Sequence, residues 1–258
     1  MCEGKCAIDD RANELDSTGR VDVIWEQHPC LVLNKPAGIL TQAPPAIDSL
    51  DKRLRAFLKQ RDSHPGNPYV GVPHRLDRPT SGVIVFARHV RATRRLSEQF
   101  SGRMVEKVYW ALVQGEVFPL TGQWCDTMRK IPNQPKAELV ARDDPDGRLA
   151  VLNYEVIKHD DFGSWLQIRL DTGRMHQIRL QCASRGHPVI GDMDYGATVK
   201  FGPDVQNWRS RWIALHARRI GFRDPKSRDS VEVVAPLWPA WLALREASYW
   251  QIDPSRSV

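Results

Sequence analysis

An aspartate set between two arginines is the first feature of this sequence that could do chemistry. In His74-Arg75-Leu76-Asp77-Arg78-Pro79-Thr80-Ser81-Gly82 it stands just ahead of the apolar run Val83–Ala87. Nearby positive charges keep a carboxylate ionised, which suits a nucleophile or base that works without a metal. On the pattern alone a plainer reading leads: a turn aspartate whose side chain caps the Thr-Ser-Gly bend. A second segment, Asp171-Thr172-Gly173-Arg174-Met175-His176-Gln177-Ile178-Arg179, is a polar turn running into a helix. Its backbone N–H groups, with Arg174 and Arg179, would converge on an anion, either a phosphate or one of the protein's own carboxylates. A capped helix start with exposed arginines fits it equally. In the third, Lys107 to Gly115, Tyr109 shares a strand face with the small Ala111, which leaves room for a flat base beside its ring. Trp110, on the other face, reads as core. The fourth, Leu215-His216-Ala217-Arg218-Arg219, puts a histidine on an apolar strand, where a satisfied structural histidine is the ordinary outcome.

The elements that must position these residues follow from periodicity. Val21–Trp25 and Cys30–Asn34 read as short strands around a His28-Pro29 turn, and Lys35-Pro36-Ala37-Gly38 breaks regular structure. Leu50, Leu54, Phe57 and Leu58 recur at helical spacing, with Asp48 or Ser49 suited to cap the start. Val83–Ala87 reads as a buried strand, Val90–Phe100 as a basic helix, and Val105–Val113 as an alternating strand. Further strands are predicted at Ala150–Val156 and Trp165–Leu170, then a helix at about Met175–Ser184 closed by Gly186. Arg211–Phe222 and Ser230–Val234 complete the set. Strands outnumber helices and the two are interspersed, so the predicted class is α+β. A single domain is expected, with a mainly antiparallel or mixed sheet flanked by helices and loops. Residues 21–250 would form that domain, with 1–20 as a flexible extension and 251–258 as a tail.

Bulk properties narrow the function classes. Hydrophobic residues make up 41% and charged residues 26%, ordinary for a globular chain. No run of about 20 apolar residues predicts a membrane span. Residues 1–20 lack the basic and apolar regions of a secretory signal, so a cytoplasmic protein is expected. The five cysteines (Cys2, Cys6, Cys30, Cys125, Cys182) show no CxxC pair, and reduced thiols are the expected state. His74, Asp77, His176 and His216 could serve a metal-dependent hydrolase, but they lack metal-ligand spacing, so no metal is expected. The net charge of +6 suggests an anionic partner, nucleic acid first. The basic residues gather at Arg88–Lys107 and at Arg209, Arg211, Arg218 and Arg219. Each cluster alone reads as a solvated face; with the motifs above, both read as phosphate-binding.

The order HRLDRPTSG, KVYWALVQG, TGRMHQIR…GHPVIGDMDYG and LHARRIGF resembles the RluA-class RNA pseudouridine synthases, and VIWEQHPCLVLNKPAGILTQ resembles the start of their core. The resemblance runs from about Val21 to about Trp241. It implies an isomerase that converts specific uridines of structured RNA, rRNA or tRNA, into pseudouridine after flipping them out. It also implies no cofactor and an RNA partner; a monomer is expected. Residue by residue, it makes Asp77 the catalytic aspartate, Arg75 the arginine entering the RNA stack, and Tyr109 the tyrosine against the flipped uracil. Arg179 becomes the basic partner of the aspartate, Arg174 its neighbour, and Leu215 an apolar residue of the pocket floor. Gln181-Cys182 and Asp224 depart from the family pattern, which is expected to alter RNA contacts rather than chemistry. Many relatives carry an N-terminal RNA-binding domain, whereas about 20 residues precede this core, so docking would rest on the core and a tRNA or compact stem-loop competes with rRNA. A binding protein without catalysis is the rival reading. The intact Asp77, Tyr109 and Arg179 argue against it, since a carboxylate repels phosphates.

Overall fold

The computed structural model describes residues 21–242; the predicted extension 1–20 with Cys2 and Cys6, and the tail 251–258, lie outside the described residues. The elements, in chain order, are β1 (Val23–Gln27), β2 (Cys30–Lys35), α1 (Leu50–Arg61), β3 (Ser81–Ala87), α2 (Val90–Ser101), β4 (Glu106–Val113), β5 (Thr121–Lys130), β6 (Ala137–Leu139), β7 (Arg148–Asp160), β8 (Gly163–Leu170), α3 (Gln177–Ala183), β9 (Leu215–Arg223) and β10 (Ser230–Val234). The strands make one ten-stranded sheet in the order β1-β2-β3-β9-β4-β8-β7-β5-β6, with β10 paired to β9. Neighbouring strands run antiparallel except β3 and β9. The α+β class and mixed, mainly antiparallel sheet are therefore as the sequence implied.

The one parallel strand pair among the described residues, β3 with β9, is the seam on which the fold turns. It spans only Ser81 opposite His216 and Gly82 opposite Ala217. Beyond it β10 takes over the same edge of β9, pairing Arg219 with Val234 through to Arg223 with Ser230. Two cores meet across this seam. The first packs β2 and β3 against Leu50, Leu54 and Leu58 of α1 and Ala92 and Leu96 of α2, spacings that place each set on one helix face. The second gathers Trp165, Trp241, Ile178 and Ile213 around β4 and β8, and Tyr109 packs against both cores. The chain after β10 returns to the first half of the sheet, where Trp238 Nε1 donates to Asn34 Oδ1 at 3.1 Å and to the Lys35 carbonyl at 3.2 Å.

Three sequence expectations need correction. The sequence reading omits β5 and β6, because the more buried face of β5 carries Gly122 and Asp126 beside Trp124 and Met128, so no apolar alternation marks it. The predicted strand at Arg211–Phe222 begins at Leu215, since the residues before it bond to loops: Ile213 N–H donates to the Pro79 carbonyl and Ala214 N–H to the Ile190 carbonyl. Helix α3 starts at Gln177 rather than Met175, because His176 takes a left-handed backbone (φ 53°) that cannot belong to a right-handed helix. Gly186, as expected, is left-handed (φ 82°) just beyond that helix. Ser49 is the N-cap residue of α1, but its hydroxyl bonds to Asp51 Oδ1 instead of a backbone N–H.

Gly82 is required at the seam on two grounds. Its φ is +112°, and a Cβ there would lie 2.2 Å from the Ala217 carbonyl oxygen. Gly186 shares the positive φ, with nothing within 4 Å of its virtual Cβ. Gly186→Ala should cost about 1 kcal/mol, whereas Gly82→Ala, which adds a backbone clash, should cost about 3 kcal/mol or more. Urea denaturation of both variants checks this; equal midpoint shifts would mean the seam relaxes freely.

Candidate active site

An open cleft of about 1190 Å³ lies where the two cores meet, and it collects side chains from distant parts of the chain. Asp77 arrives on the loop before β3, Tyr109 on β4, Arg179 on α3 and Leu215 at the start of β9. Arg75 and Arg174 also line it, so all six residues singled out from the sequence reach one cleft. Arg75 is exposed at the rim and Leu215 is buried.

The loop carrying Asp77 is clamped on both sides. Thr41 Oγ1 donates to the Leu76 carbonyl (3.0 Å) and accepts the Leu76 N–H (3.2 Å). Gly38 N–H donates to the Arg78 carbonyl at 2.8 Å, and Arg78 Nε returns a bond to the Gly38 carbonyl at 2.8 Å. Lys35, 0% exposed, extends its ammonium beneath the loop and donates to the carbonyls of Arg78 (3.2 Å) and Thr80 (2.7 Å). These contacts tie the Lys35-Pro36-Ala37-Gly38 break to the aspartate's loop. The bend after Asp77 is closed by its backbone, with Thr80 N–H donating to the Asp77 carbonyl at 3.1 Å. The turn-capping role for the side chain is thereby overturned. The carboxylate, 32% exposed, points instead toward Arg179 Nη1 at 3.8 Å and His176 Nε2 at 3.9 Å, both measured to Oδ2.

Arg179 is only 3% exposed and its first commitment is to another acid. Nε and Nη2 make a bidentate pair with Asp192 at 2.6 and 2.7 Å, and Nη2 reaches Asp194 at 3.4 Å. Burial disfavours the guanidinium, yet the hydrogen bonds and charge of Asp192, with Asp77 behind, outweigh it and hold its pKa above the usual value. Asp77 thus shares a cation already fixed by Asp192, a partner that the resemblance did not name. Tyr109 is half-buried, and burial first, then the Asp77 charge, raise its phenol's pKa, keeping it neutral.

Of the two anions that the start of α3 could serve, the structure shows the protein's own carboxylates, and at Arg179 alone. Gln177 Oε1 accepts the Arg174 N–H (3.0 Å) and the Thr172 hydroxyl (2.7 Å), so the turn satisfies itself. The two arginines diverge: Arg179 goes inward, while Arg174 Nε donates to the Leu149 carbonyl at 3.0 Å. What converges on Arg179 is the protein's own carboxylates.

The basic clusters split. Arg88 is bound to Asp62 and Glu26, and Arg219 to Glu106 and Glu232. Arg218 lies over the Trp110 ring at 4.6 Å. Arg103, Lys107, Arg209 and Arg211 do face the cleft. Gln181 and Asp224, expected to alter RNA contacts, are interior: Gln181 donates to Asp126 Oδ2 at 2.7 Å, and Asp224 Oδ1 accepts two N–H groups of its own turn. Burial pushes His74 and His216 down to about 3. His74 stacks on Phe100 and accepts the Val85 N–H, and His216 bonds Ser81 Oγ, so both are structural. No group of three or more His, Cys, Asp or Glu placed to hold a metal occurs among the described residues.

Asp192, Tyr195, Lys35, Thr41 and Trp208 were not singled out from the sequence. The GDMDYG run that holds Asp192 and Tyr195 was the available signal, but only their spatial closeness to Arg179 gives them meaning. Trp208, 54% exposed on the cleft rim, carried none.

Comparison with known proteins agrees with this geometry. Residues 29–184 match the family model described as RNA pseudouridylate synthase. The ribosomal large subunit pseudouridine synthase D of Xylella fastidiosa is 35% identical over 239 residues, covering 88% of this chain and 70% of that one. The dual-specificity RNA pseudouridine synthase RluA of Vibrio cholerae is 31% identical, covering 80% and 79%. Among solved structures, human RNA pseudouridylate synthase domain containing 4 shares the fold, with a TM-score of 0.73 at 20% identity over 90% of this chain and 94% of that one. A clamped carboxylate beside a buried, acid-paired arginine, on this sheet and with these relatives, places the chain in the RNA pseudouridylate synthase family.

Proposed function

We propose that this protein isomerises specific uridines of structured RNA, rRNA or tRNA, to pseudouridine, with Asp77 as the catalytic carboxylate. The observation that carries the reading is the Asp77 side chain, freed from its own bend by the backbone and held in a cleft beside Arg179. The reaction breaks the N1–C1′ bond, turns the uracil and joins C5 to C1′; the C5 proton leaves and N1 ends protonated. A stacked base cannot turn, so the uridine must leave the helix at a cost of a few kcal/mol. Arg75, exposed at the rim, is suited to fill the vacated place. The neutral ring of Tyr109 offers the uracil a stacking surface that contributes about 1–3 kcal/mol, and Leu215 gives the floor an apolar lining. Asp77 then acts at the sugar or the base as nucleophile or base, its charge balanced by Arg179. Neither electrons nor a phosphoryl group are transferred.

RNA reaches this centre through a basic rim. Arg103, Lys107 and Arg174 stand toward one side and Arg209 and Arg211 on the 208–215 segment, a spread matched to a phosphate backbone. No helix among the described residues is long and apolar enough to cross a membrane; with the RNA substrate, the reading is of a monomer working in the cytoplasm. The names of the relatives point to large-subunit rRNA or to dual specificity, and both rRNA and tRNA belong in the test.

Asp77→Asn keeps the shape and removes the charge. It should bind transcribed rRNA or tRNA as wild type does while releasing no tritium from C5-labelled uridine; continued release would sink the assignment. Arg179→Ala should lose turnover and also stability, by about 3–5 kcal/mol, because Asp192 (1% exposed) is left buried and unpaired. A denaturation midpoint unchanged in that variant would show that Asp192 does not depend on this pair. Arg209→Ala with Arg211→Ala should raise KM several-fold at unchanged kcat and flatten the salt dependence of binding by about two phosphate contacts; a fall in kcat alone would remove this segment from RNA docking.

A further inference from the structure

Two donors approach one oxygen of Asp77, and only one of them has been given a role. His176 Nε2 stands 3.9 Å from Oδ2, nearly as close as Arg179 Nη1 at 3.8 Å. The carboxylate makes no hydrogen bond among the described residues, and catalytic hydrogen bonds commonly reach their final length only in the substrate complex. His176 holds its place in the left-handed region (φ 53°), a conformation that costs a non-glycine residue about 1–3 kcal/mol and persists only where the surroundings enforce it. Here the enforcement comes from Tyr195. His176 Nδ1 is 2.9 Å from the Tyr195 hydroxyl, with the two rings edge to face at 5.6 Å.

Tyr195 also decides which ring nitrogen carries the proton. Its oxygen accepts the Ala137 N–H at 2.9 Å. Its own proton has two acceptors in reach, His176 Nδ1 at 2.9 Å and the Ala137 carbonyl at 3.4 Å, and the shorter contact is the better bond. An accepting Nδ1 leaves the single proton of a neutral imidazole on Nε2, the nitrogen that faces Asp77. Burial favours that neutral ring, against the pull of the Asp77 charge. The same tyrosine ring lies 5.0 Å from the Arg179 guanidinium, so one side chain braces both donors.

We propose that His176, fixed in its Nε2–H tautomer by the Tyr195 hydroxyl, is a positioning residue that holds Oδ2 of Asp77 and turns Oδ1 toward the reacting nucleoside. This role rests on the reading of Asp77 as the catalytic carboxylate. It also extends the site to β6, whose Ala137 anchors Tyr195.

The test combines turnover with a readout that needs no substrate. In steady-state tritium release from C5-labelled transcripts of rRNA and tRNA, Tyr195→Phe and His176→Leu should lower kcat by about 10- to 100-fold with KM within about twofold. His176→Gln, whose amide N–H can stand in for Nε2–H, should recover most of the loss. Thermal melts verify folding, and Tyr195→Phe, lacking one oxygen, serves if His176→Leu fails to fold. Proton–nitrogen NMR of histidine-labelled wild type should show His176 as the Nε2–H tautomer and should change in Tyr195→Phe. An Nδ1–H tautomer in wild type, or unchanged kcat in the folded variants, overturns the positioning role. Wild type inactive on both transcripts would instead count against the reading of Asp77.

Discussion

A guanidinium buried to 3% exposure cannot stand alone, and the arrangement around Arg179 follows from that requirement. Removing a charge from water costs several kcal/mol, which is regained only with close partners and satisfied hydrogen bonds. Asp192 supplies the bidentate pair, Asp194 a longer contact and Tyr195 an aromatic face. The remaining nitrogen, Nη1, is the one turned to Asp77. An arginine held this way is preorganised: in the proposed reaction its charge would face Asp77 without reorganising.

The aspartate needs a comparable hold from its own side, and the sheet supplies it. Its loop ends in the β3–β9 seam, where Gly82 allows two strands from distant parts of the chain to touch. Leu215 enters the pocket from the same β9 whose next residues form that seam. β4 borders β9 on its other side and delivers Tyr109, opposite Ala217. The Asp77 loop, Leu215 and the Tyr109 ring are therefore registered to one another through backbone hydrogen bonds, with Lys35 and Thr41 holding the loop from below. Side chains placed by strands and clamped loops keep the tolerances that catalysis demands.

Much of this was legible in the sequence, for reasons that differ by element. The strands β2 and β3 are short apolar runs buried throughout, and the helices α1 and α2 bury residues at helical spacing, so they could be read directly. β5 could not, because it is half-solvated and buries few of its residues. Asp77, Tyr109 and Arg179 stood in motifs, and they do meet in one cleft. Hidden from the sequence were the partners that give them their properties. Asp192 lies 13 residues beyond Arg179, and the Tyr195 hydroxyl contacts Ala137, 58 residues earlier. Local spacing encodes neither contact. The basic clusters misled for a related reason: counting charges along the chain cannot tell Arg209, which faces the cleft, from Arg219, which is committed to Glu106 and Glu232.

The central claim is that this cleft rebuilds uridine inside an RNA chain, and its most direct test is in the cell. Carbodiimide mapping of pseudouridine across total RNA should be compared between cells with and without the gene. One or a few uridines in rRNA or tRNA should lose the modification in the deletion and regain it when the gene is restored. An identical pseudouridine map in the two strains, together with purified protein that leaves transcribed rRNA and tRNA unchanged, would contradict it.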